Sequence, residues 1–316
     1  MSLTRIVSPP PVVTSTLPAL KRQWVSYPVR PTGTSDKWFR VLHWNMLADV
    51  LAQRGEFFNT PQENLTWDAR RDNILHELLI HDPDIISVVE VNKSHFDGYL
   101  WREMRRRGYG CLYTPRGVVA KTEIGNVIYY HKGRFFPLLM AGADTPTTYP
   151  WGNHAVLRDK IVDKNVIFSA CHFTSKEGNE KRRSQEALML LNTAEHLKKW
   201  SSDEHTTILC GDLNAVPSEE CVERIAQVFQ NAYSYLGPRW TTWKGRKMTD
   251  WNPVGGECKR VEDYIFHDVD TLSILQSLDV PKDADVNPST LLPGSQYPSD
   301  HMSLVVDFAW RDKPKL

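Results

Sequence analysis

Apolar residues along this chain follow two rhythms: short β-branched runs and a few stretches with helical spacing. The short runs predict strands over residues 39–44, 85–89, 126–130, 166–171, 206–210, 261–267 and 302–308. Helical spacing predicts two helices, over residues 66–79 and 181–200, the second presenting Leu188, Leu191, Ala194 and Leu197 on one face. Because the strands outnumber the helices with which they alternate, the pattern predicts a layered α/β or α+β body.

The beginning of the chain differs in composition from the rest. Residues 1–37 are rich in Pro, Ser and Thr, and Asp36 is their one acidic residue. This composition predicts a disordered N-terminal segment, followed by a folded domain over residues 38–312. An organellar presequence is the alternative, since such segments avoid acidic residues, but Pro9, Pro10 and Pro11 disfavour an amphipathic helix. We therefore expect a cytoplasmic protein, with the mitochondrion as the second choice.

Charge and cysteine content narrow the class of protein. Lys plus Arg and Asp plus Glu number 38 each, so wholesale electrostatic capture of nucleic acid is not expected, although local basic patches are not excluded. The five cysteines are odd in number and form no CxxC pair, which favours a thiol-keeping compartment and no disulfide-linked partner. No apolar run approaches the roughly 18 residues of a membrane span. We expect a monomer without a membrane partner.

Polar residues recur where the predicted strands begin or end. They are Asn45, Glu90, His172, Asp212, Asn214, Asp263, Asp300 and His301. Each one alone has an ordinary explanation as a turn former, an edge charge or a satisfied histidine. Together they place carboxylates, amides and imidazoles on rigid elements, where a site is held more precisely than on loops. Carboxylate and amide oxygens without thiolates suit a hard cation such as Mg²⁺ or Mn²⁺.

Basic residues close to aromatic ones predict a substrate-binding surface. Residues 244–247 read Lys-Gly-Arg-Lys and lie among Trp240, Trp243 and Trp251. Aromatic rings offer stacking surfaces for bases, so Trp243 and Lys244 are candidate substrate-binding residues on a loop. The alternative is that Trp243 packs in the core and the loop is only exposed.

Several strings of the chain jointly resemble the endonuclease/exonuclease/phosphatase superfamily, in particular its nocturnin-like and deadenylase-type members. They span nearly all of residues 38–310 and are WNMLA (44–48), VVEV (88–91), CHFTSK (171–176), RRSQEA (182–187), CGDLNAVP (210–217), TTWKGR (241–246), GECKRVEDYIF (256–266) and YPSDHMSLVVDF (297–308). The resemblance implies a DNase-I-like four-layered sandwich, in which two packed β-sheets are flanked by helices. It also implies metal-dependent hydrolysis of a phosphoester.

The resemblance assigns metal-binding roles to three of the matched positions. Glu90 looks like the principal Mg²⁺ ligand, Asn45 lies near it, and Asp300 would help to hold a second metal.

It assigns the chemistry to five others. Asp212 would orient or deprotonate the attacking water, and Asn214 would hold the scissile phosphate. His301, paired with Asp263, would act at the phosphate, and His172 would stabilise charge on a phosphate oxygen.

The chain departs from the pattern of the resemblance at several positions. Val89 replaces the glutamine that commonly precedes the metal-binding glutamate, and Ile124-Gly125 replaces an Asp-Gly. Thr174 and Lys176 stand where the nocturnin-like pattern has Lys and Arg for substrate phosphates. Lys176 stays a candidate substrate-binding residue, but lysine cannot reproduce a bidentate arginine contact.

Three functions follow for testing. The first is a Mg²⁺-dependent 3′-to-5′ exoribonuclease that prefers adenylates and binds an RNA 3′ end. The second is a phosphatase that removes the 2′-phosphate of NADP(H), and the altered basic positions disfavour it. The third is a catalytically inactive nucleic-acid-binding module, which would be expected to lack Glu90, Asp212 or His301.

Overall fold

A computed structural model describes residues 20–27, 37–57, 59–119, 121–141, 152–200, 203–236, 240–248 and 255–311 of the chain. Its larger sheet has seven strands in the order β1-β14-β15-β2-β3-β5-β4. These strands are β1 (Trp24–Ser26), β2 (Trp38–Asn45), β3 (Ile85–Asn92), β4 (Tyr109–Val119), β5 (Thr122–His131), β14 (Leu272–Leu278) and β15 (Leu304–Trp310).

The second sheet has six strands in the order β10-β13-β9-β8-β7-β6. They are β6 (Phe135–Ala141), β7 (Gly152–Asp159), β8 (Lys164–His172), β9 (His205–Asp212), β10 (Gln230–Asn231) and β13 (Asp263–His267). A separate antiparallel hairpin consists of β11 (Thr242–Arg246) and β12 (Gly256–Arg260).

Helices cover the outer faces of both sheets. They are α1 (Asp49–Ala52), α2 (Trp67–Leu79), α3 (Lys93–His95), α4 (Trp101–Arg106), α5 (Glu180–Trp200) and α6 (Glu220–Ala226), with a π-helical turn at Phe96–Leu100 and 3₁₀ turns at Gln62–Leu65 and Asp283–Asp285. Among the described residues, no helix combines the length and apolarity needed to cross a bilayer.

Three apolar clusters hold the layers together. The cluster between the sheets contains Phe39 and Ile128 of the larger sheet and Phe168 and Ile208 of the smaller one. A second cluster packs α2 against the outer face of the larger sheet, and a third packs α5 and α6 against the smaller sheet. Burial of apolar surface on both faces of each sheet gives four layers, which confirms the predicted fold class.

Part of the N-terminal segment belongs to the folded domain. Trp24–Ser26 pairs antiparallel with β14 and forms one edge of the larger sheet. The guanidinium of Arg22 donates to the carbonyl and hydroxyl oxygens of Ser303, at 2.6 and 2.8 Å. Disorder was therefore the wrong prediction for this stretch, whereas residues 1–19 and 28–36 lie outside the described residues.

The helix α5 follows its predicted range, and Ala194 and Leu197 of its predicted face are buried. Its buried side chains include Ala187, Leu190, Ala194 and Leu197, whereas Leu188 is 47% exposed. The predicted face was one residue out of phase on its first turn, because the run of apolar residues from Ala187 to Leu191 fits two helical stripes equally well.

Two parallel strand pairs, one in each sheet, determine where the polar residues gather. β2 and β3 run parallel with Asn45 beside Val89, and β8 and β9 run parallel with His172 beside Asp212. Every other strand pairing in the described residues is antiparallel, and β13 begins at this same edge with Asp263 beside Asp212. The carboxyl ends of the parallel pairs therefore meet at one end of the sandwich.

Candidate active site

One carboxylate from each sheet and an imidazole converge at that end of the sandwich. Nε2 of His172 lies 3.9 Å from Oε1 of Glu90 and 3.6 Å from Oδ2 of Asp212. Ligand-type atoms of these three residues all lie within 4.8 Å of one another. The structure therefore brings together Glu90, expected as a metal ligand, Asp212, expected to act on the attacking water, and His172, expected to act on a phosphate oxygen.

Glu90 reaches this position through an irregular backbone. It lies inside β3, at a register shift between Val88 and Val91, and its φ of 60° is in the left-handed region. That region is costly for a residue with a Cβ, and such strain is concentrated at functional sites. The backbone N–H of Ala48 donates to Oε2 of Glu90 at 3.2 Å, which fixes one carboxylate oxygen.

Asp212 is held by hydrogen bonds from both sides. Nδ2 of Asn45 donates to its Oδ2 at 2.9 Å, and the backbone N–H of Asn214 donates to its Oδ1 at 2.8 Å. Burial, reinforced by the nearby carboxylate of Asp263, raises the pKa of Asp212 to about 7. A carboxylate with a pKa near neutral is suited to accept a proton from water.

Hydrogen bonds hold Asn45 and Asn214 beside the carboxylate of Asp212. The side-chain amide of Asn45 points at Asp212, and its Oδ1 accepts from the backbone N–H of Leu47 at 3.0 Å. Nδ2 of Asn214 donates to the carbonyl of Phe173 at 3.2 Å, in a residue whose φ of 48° asparagine tolerates well. Both residues lie at the predicted site, although their side chains contact neighbouring protein groups.

His301 and Asp263 form the predicted pair. Nδ1 of His301 lies 2.8 Å from Oδ2 of Asp263, and the hydroxyl of Thr241 donates to the same oxygen at 2.6 Å. Burial works against the charged ring, but the carboxylates around it, Asp263 above all, raise the pKa of His301 to about 10. The carboxylates thus favour the charged ring against the opposing charge of Lys244, and Nε2 lies 4.0 Å from Oδ2 of Asp212.

His172 has the opposite electrostatic character. Burial, together with the charges of Arg116 and His301, lowers the pKa of His172 well below its usual value. Its ring is neutral, and Nδ1 has no hydrogen-bond partner among the described residues. A neutral imidazole can bind a metal ion or donate one hydrogen bond to a phosphate oxygen.

Asp300 is paired with a cation inside the protein. Nζ of Lys244 lies 2.7 Å from its Oδ2, and Nη2 of Arg246 lies 3.5 Å from the same atom. Burial opposes the charge of Asp300, yet Lys244 holds the pKa of that carboxyl well below its usual range. Asp300 is not part of either possible metal-binding group in the described residues, and its expected role at a second metal stays a prediction.

Lys244 and Trp243 belong to a strand and not to the predicted loop. Lys244 is 5% exposed, and its ammonium lies 3.2 Å from Nε2 of His301. Nε1 of Trp243 donates to Glu257, and Nζ of Lys259 lies 3.8 Å from the centre of its ring. One face of the Trp243 ring is therefore already covered, and Trp251 lies outside the described residues.

The loop after β8 carries the two altered basic positions. Lys176 is exposed, with a φ of 80°. Thr174 turns inward, because its N–H and hydroxyl donate to the two carboxylate oxygens of the buried Glu186 at 2.8 and 2.6 Å. Only Lys176 of this pair is free to meet a substrate from solvent.

Two residues of the site were missed from the sequence. Thr241 supports Asp263, and Nη1 of Arg70 donates to the carbonyls of Leu47 and Pro298 at 2.9 and 3.0 Å, joining two loops of the site. Thr241 opens the matched string TTWKGR (241–246), but no local pattern identifies its hydroxyl as a partner of Asp263. Arg70 had a sequence signature, since it is an arginine on the apolar face of a predicted helix.

Two helix-flanked sheets, packed face to face with carboxylates, imidazoles and amides at one end, define the class of DNase-I-like hydrolases of phosphoester bonds. The chain belongs to the Endonuclease/Exonuclease/phosphatase family, whose model matches residues 42–301. This confirms the predicted superfamily.

Individual relatives agree with this assignment. Nocturnin of Rattus norvegicus is 29% identical over 296 residues, which cover 87% of this chain and 66% of that protein. The CCR4-Not complex 3′-5′-exoribonuclease subunit Ccr4 of Aspergillus oryzae is 24% identical, covering 94% of this chain and 50% of that protein. The chain thus matches two thirds or less of the length of these relatives.

A solved structure shows the same fold. The human nocturnin catalytic domain, with a bound sulfate anion, superposes with a TM-score of 0.70 at 24% identity, and the match covers 94% of this chain and all of that domain.

The donor set fits a divalent metal, on which the enzymes of this family depend. Glu90 and Asp212 supply anionic oxygens, and the neutral ring of His172 lies between them. Two carboxylates from different sheets, held close together, favour a bound positive charge.

Proposed function

We propose that this chain is a Mg²⁺-dependent 3′-to-5′ exoribonuclease that removes adenylates from the end of an RNA strand. The observation that carries the proposal is the arrangement around Asp212. Its carboxylate lies between a metal-binding group with Glu90 and His172 on one side and the Asp263–His301 pair on the other. A water molecule and a phosphodiester placed there meet a base, a cationic donor and a metal ligand at once.

Glu90 is the principal ligand of the metal in this proposal, with Asp212 and His172 close to it. Oxygen ligands of this kind suit Mg²⁺, which retains several waters when bound to one or two carboxylates. The bound cation supplies electrostatic stabilisation of charge on the phosphoryl oxygens.

Asp212 accepts the proton of the attacking water, because its carboxylate lies between the metal-binding group and the Asp263–His301 pair and its orientation is fixed by Asn45 and Asn214. The cationic His301 faces the same space and stabilises the negative charge that develops on the phosphoryl oxygens. Asp263 maintains the orientation and charge of that imidazole. The oxygen of the water forms a bond to phosphorus, and the bond from phosphorus to the 3′ oxygen of the remaining strand breaks. That oxygen takes up a proton from solvent, so the products are a nucleoside 5′-monophosphate and a shortened strand with a 3′ hydroxyl.

The substrate preference rests on the loop after β8. The resemblance places cations for extra substrate phosphates at positions 174 and 176. Here the Thr174 hydroxyl donates to the carboxylate of Glu186, which also lies 3.5 Å from the guanidinium of Arg182, so position 174 supplies no positive charge of its own to a phosphate. This arrangement favours the single phosphodiester of an RNA end over a substrate with several phosphates, such as NADP(H). The name of the Aspergillus relative agrees with that choice.

Incubation of the purified protein and Mg²⁺ with 5′-labelled oligo(A), and separately with NADP⁺ and NADPH, tests the proposal. We expect a ladder of labelled products shortened from the 3′ end and no phosphate released from the dinucleotides. Phosphate release from NADP(H) without shortening of the RNA would establish the second function instead.

A matched pair of variants connects the activity to the site. Glu90→Ala removes the metal-binding carboxylate, whereas Glu123→Ala removes an exposed carboxylate of β5. We expect the first change to abolish shortening and the second to leave it intact. Full activity of Glu90→Ala would rule out this metal site.

A further inference from the structure

A second histidine lies directly beneath the Asp263–His301 pair. His43, near the end of β2, is fully buried. Nδ1 of its ring lies 2.9 Å from the hydroxyl oxygen of Ser87, its neighbour across the parallel pair β2/β3. Its other nitrogen, Nε2, lies 3.5 Å from Oδ1 of Asp263. The ring thus connects the interior of the larger sheet to a carboxylate of the candidate active site.

The two oxygens of Asp263 are supported unequally. Oδ2 receives both His301 Nδ1 and the hydroxyl of Thr241. Oδ1 is buried and has no hydrogen-bond partner within normal length among the described residues, and the same is true of Nε2 of His43. These two atoms face each other at 3.5 Å, so a shift of a few tenths of an ångström joins them in a hydrogen bond.

The neighbours of His43 determine which nitrogen carries its proton. The Ser87 hydroxyl can donate to Nδ1, whereas the ionised Asp263 can only accept a proton. The favoured tautomer of a neutral ring therefore has its hydrogen on Nε2, aimed at Oδ1. The alternative tautomer would place a lone pair against a buried carboxylate.

We propose that His43 is a positioning residue, whose Nε2–H holds Oδ1 of Asp263 and thereby aims Nε2 of His301 at the phosphate. The inference rests on the proposed role of the Asp263–His301 pair. Without this donor, Oδ1 of Asp263 stays buried with no group to hold it, and the orientation of the carboxylate depends on Oδ2 alone, through Thr241 and His301. Misalignment then affects the reaction step and leaves substrate binding unchanged.

Two variants of His43 separate donation from packing. His43→Leu fills the space without a donor, and His43→Gln keeps an N–H at a similar reach. We expect kcat for oligo(A) shortening to fall roughly 10- to 100-fold in His43→Leu. Loss of a residue that orients a functional side chain through a hydrogen bond typically has an effect of this size. KM and the Mg²⁺ concentration for half-maximal activity are expected to stay within about twofold, and His43→Gln is expected to restore most of kcat.

His154 provides a matched structural control. It is also fully buried, and its Nδ1 lies 2.9 Å from the hydroxyl oxygen of Ser169 across β7 and β8. His154→Leu therefore makes the same change in the other sheet. We expect it to lower the melting temperature about as much as His43→Leu does while kcat remains that of the wild type. Equal losses of kcat in both variants would reduce His43 to a packing role and overturn the inference.

A double-mutant cycle tests whether His43 acts through Asp263. In an Asp263→Asn background, His43→Leu is expected to cause no further loss of kcat, since the group that it positions has already been altered. Independent, multiplicative losses would overturn the inference.

The outcomes also separate this inference from the proposed function. Wild-type activity in both His301→Ala and Asp263→Asn would refute the role of the pair itself. Strong loss in those two variants with full activity in His43→Leu would refute only the inference.

Discussion

The ammonium of Lys244 lies 2.7 Å from Oδ2 of Asp300, and both side chains are almost wholly buried. Lysine 244 was expected to bind substrate, and its position beside Nε2 of His301 is compatible with that role. Its shortest polar contact, however, is within the protein. When the cation beside a buried carboxylate is removed, the negative charge is left without a partner. The Lys244–Asp300 pair is therefore expected to contribute to the stability of the folded protein whether or not substrate is bound.

Lys244→Met is therefore expected to lower the free energy of unfolding by about 3 kcal/mol, because it leaves the Asp300 charge buried with only the more distant Arg246 and His301. Urea unfolding measures the loss. Adding Asp300→Asn is expected to recover a large part of it, since the uncompensated charge is then removed. An unchanged unfolding free energy in Lys244→Met, with only KM raised, would show that Lys244 serves the substrate alone.

The sequence predicted much of the site, because strand ends are visible in a hydrophobic pattern. The parallel pairs β2/β3 and β8/β9 bring Asn45, Glu90, His172 and Asp212 to one edge, and each of them follows or ends an apolar run. Partners of buried charges were not visible in this way. The pairing of Lys244 with Asp300 joins positions 56 residues apart, and it depends on how the β11–β12 hairpin packs, which no local pattern encodes.

The backbone of Glu90 leads to a second prediction. At a φ of 60° a residue with a Cβ is strained, whereas glycine is not. Both Glu90→Ala and Glu90→Gly lose the carboxylate and its bond from the Ala48 N–H, so the two variants differ mainly in this strain. We expect Glu90→Gly to be more stable than Glu90→Ala by about 1 kcal/mol in metal-free urea unfolding, while both are inactive.

At most positions an Ala variant is more stable than a Gly variant, so the order expected at position 90 is reversed. Glu123, exposed on β5, is the control for this reversal. It is absent from the described residues with positive φ, so the usual order applies and Glu123→Ala is expected to be more stable than Glu123→Gly by roughly 0.5–1 kcal/mol. If Ala were also the more stable residue at position 90, the left-handed backbone there would not be a source of strain.

Arg70 leads to a third prediction, because its guanidinium joins the two loops that carry site residues. One nitrogen, Nη1, donates to the carbonyls of both Leu47 and Pro298, and Nε donates to the carbonyl of Leu65. The ammonium of a lysine is one compact donor group, so it cannot donate hydrogen bonds to all three of these carbonyls from one position. We expect Arg70→Lys to lower the free energy of unfolding by about 3 kcal/mol and to reduce kcat, since buried carbonyls lose their donors.

The next residue, Arg71, allows the same Arg-to-Lys substitution to be tested at an exposed position of the same helix. Arg71 is 41% exposed at its side chain and pairs with Asp68 on the surface of α2. Arg71→Lys is expected to change stability by less than about 0.5 kcal/mol and to leave kcat unaltered. Similar behaviour of the two variants, measured side by side in unfolding and RNA-shortening assays, would contradict the bridging role of Arg70.

The last prediction concerns stability in mild acid. His267 lies at the end of β13, where it is 2% exposed and its Nδ1 donates to the carbonyl of Gln230 at 2.9 Å. Burial lowers the pKa of His267 to about 4. Between that value and the ordinary value of 6.5 the unfolded chain takes up a proton that the folded protein does not, so stability falls as the pH decreases through this window.

At pH 5 the uptake of that proton by the unfolded chain is expected to cost the folded protein about 2 kcal/mol relative to pH 7.5. His267→Gln keeps a side-chain N–H for the Gln230 carbonyl but does not titrate, so its loss of unfolding free energy between these pH values should be smaller than that of the wild type by this amount. His196→Gln, on the exposed side of α5, controls for the substitution itself. Urea unfolding at both pH values measures the difference, and identical pH dependence in wild type and His267→Gln would mean that His267 is protonated in the folded protein.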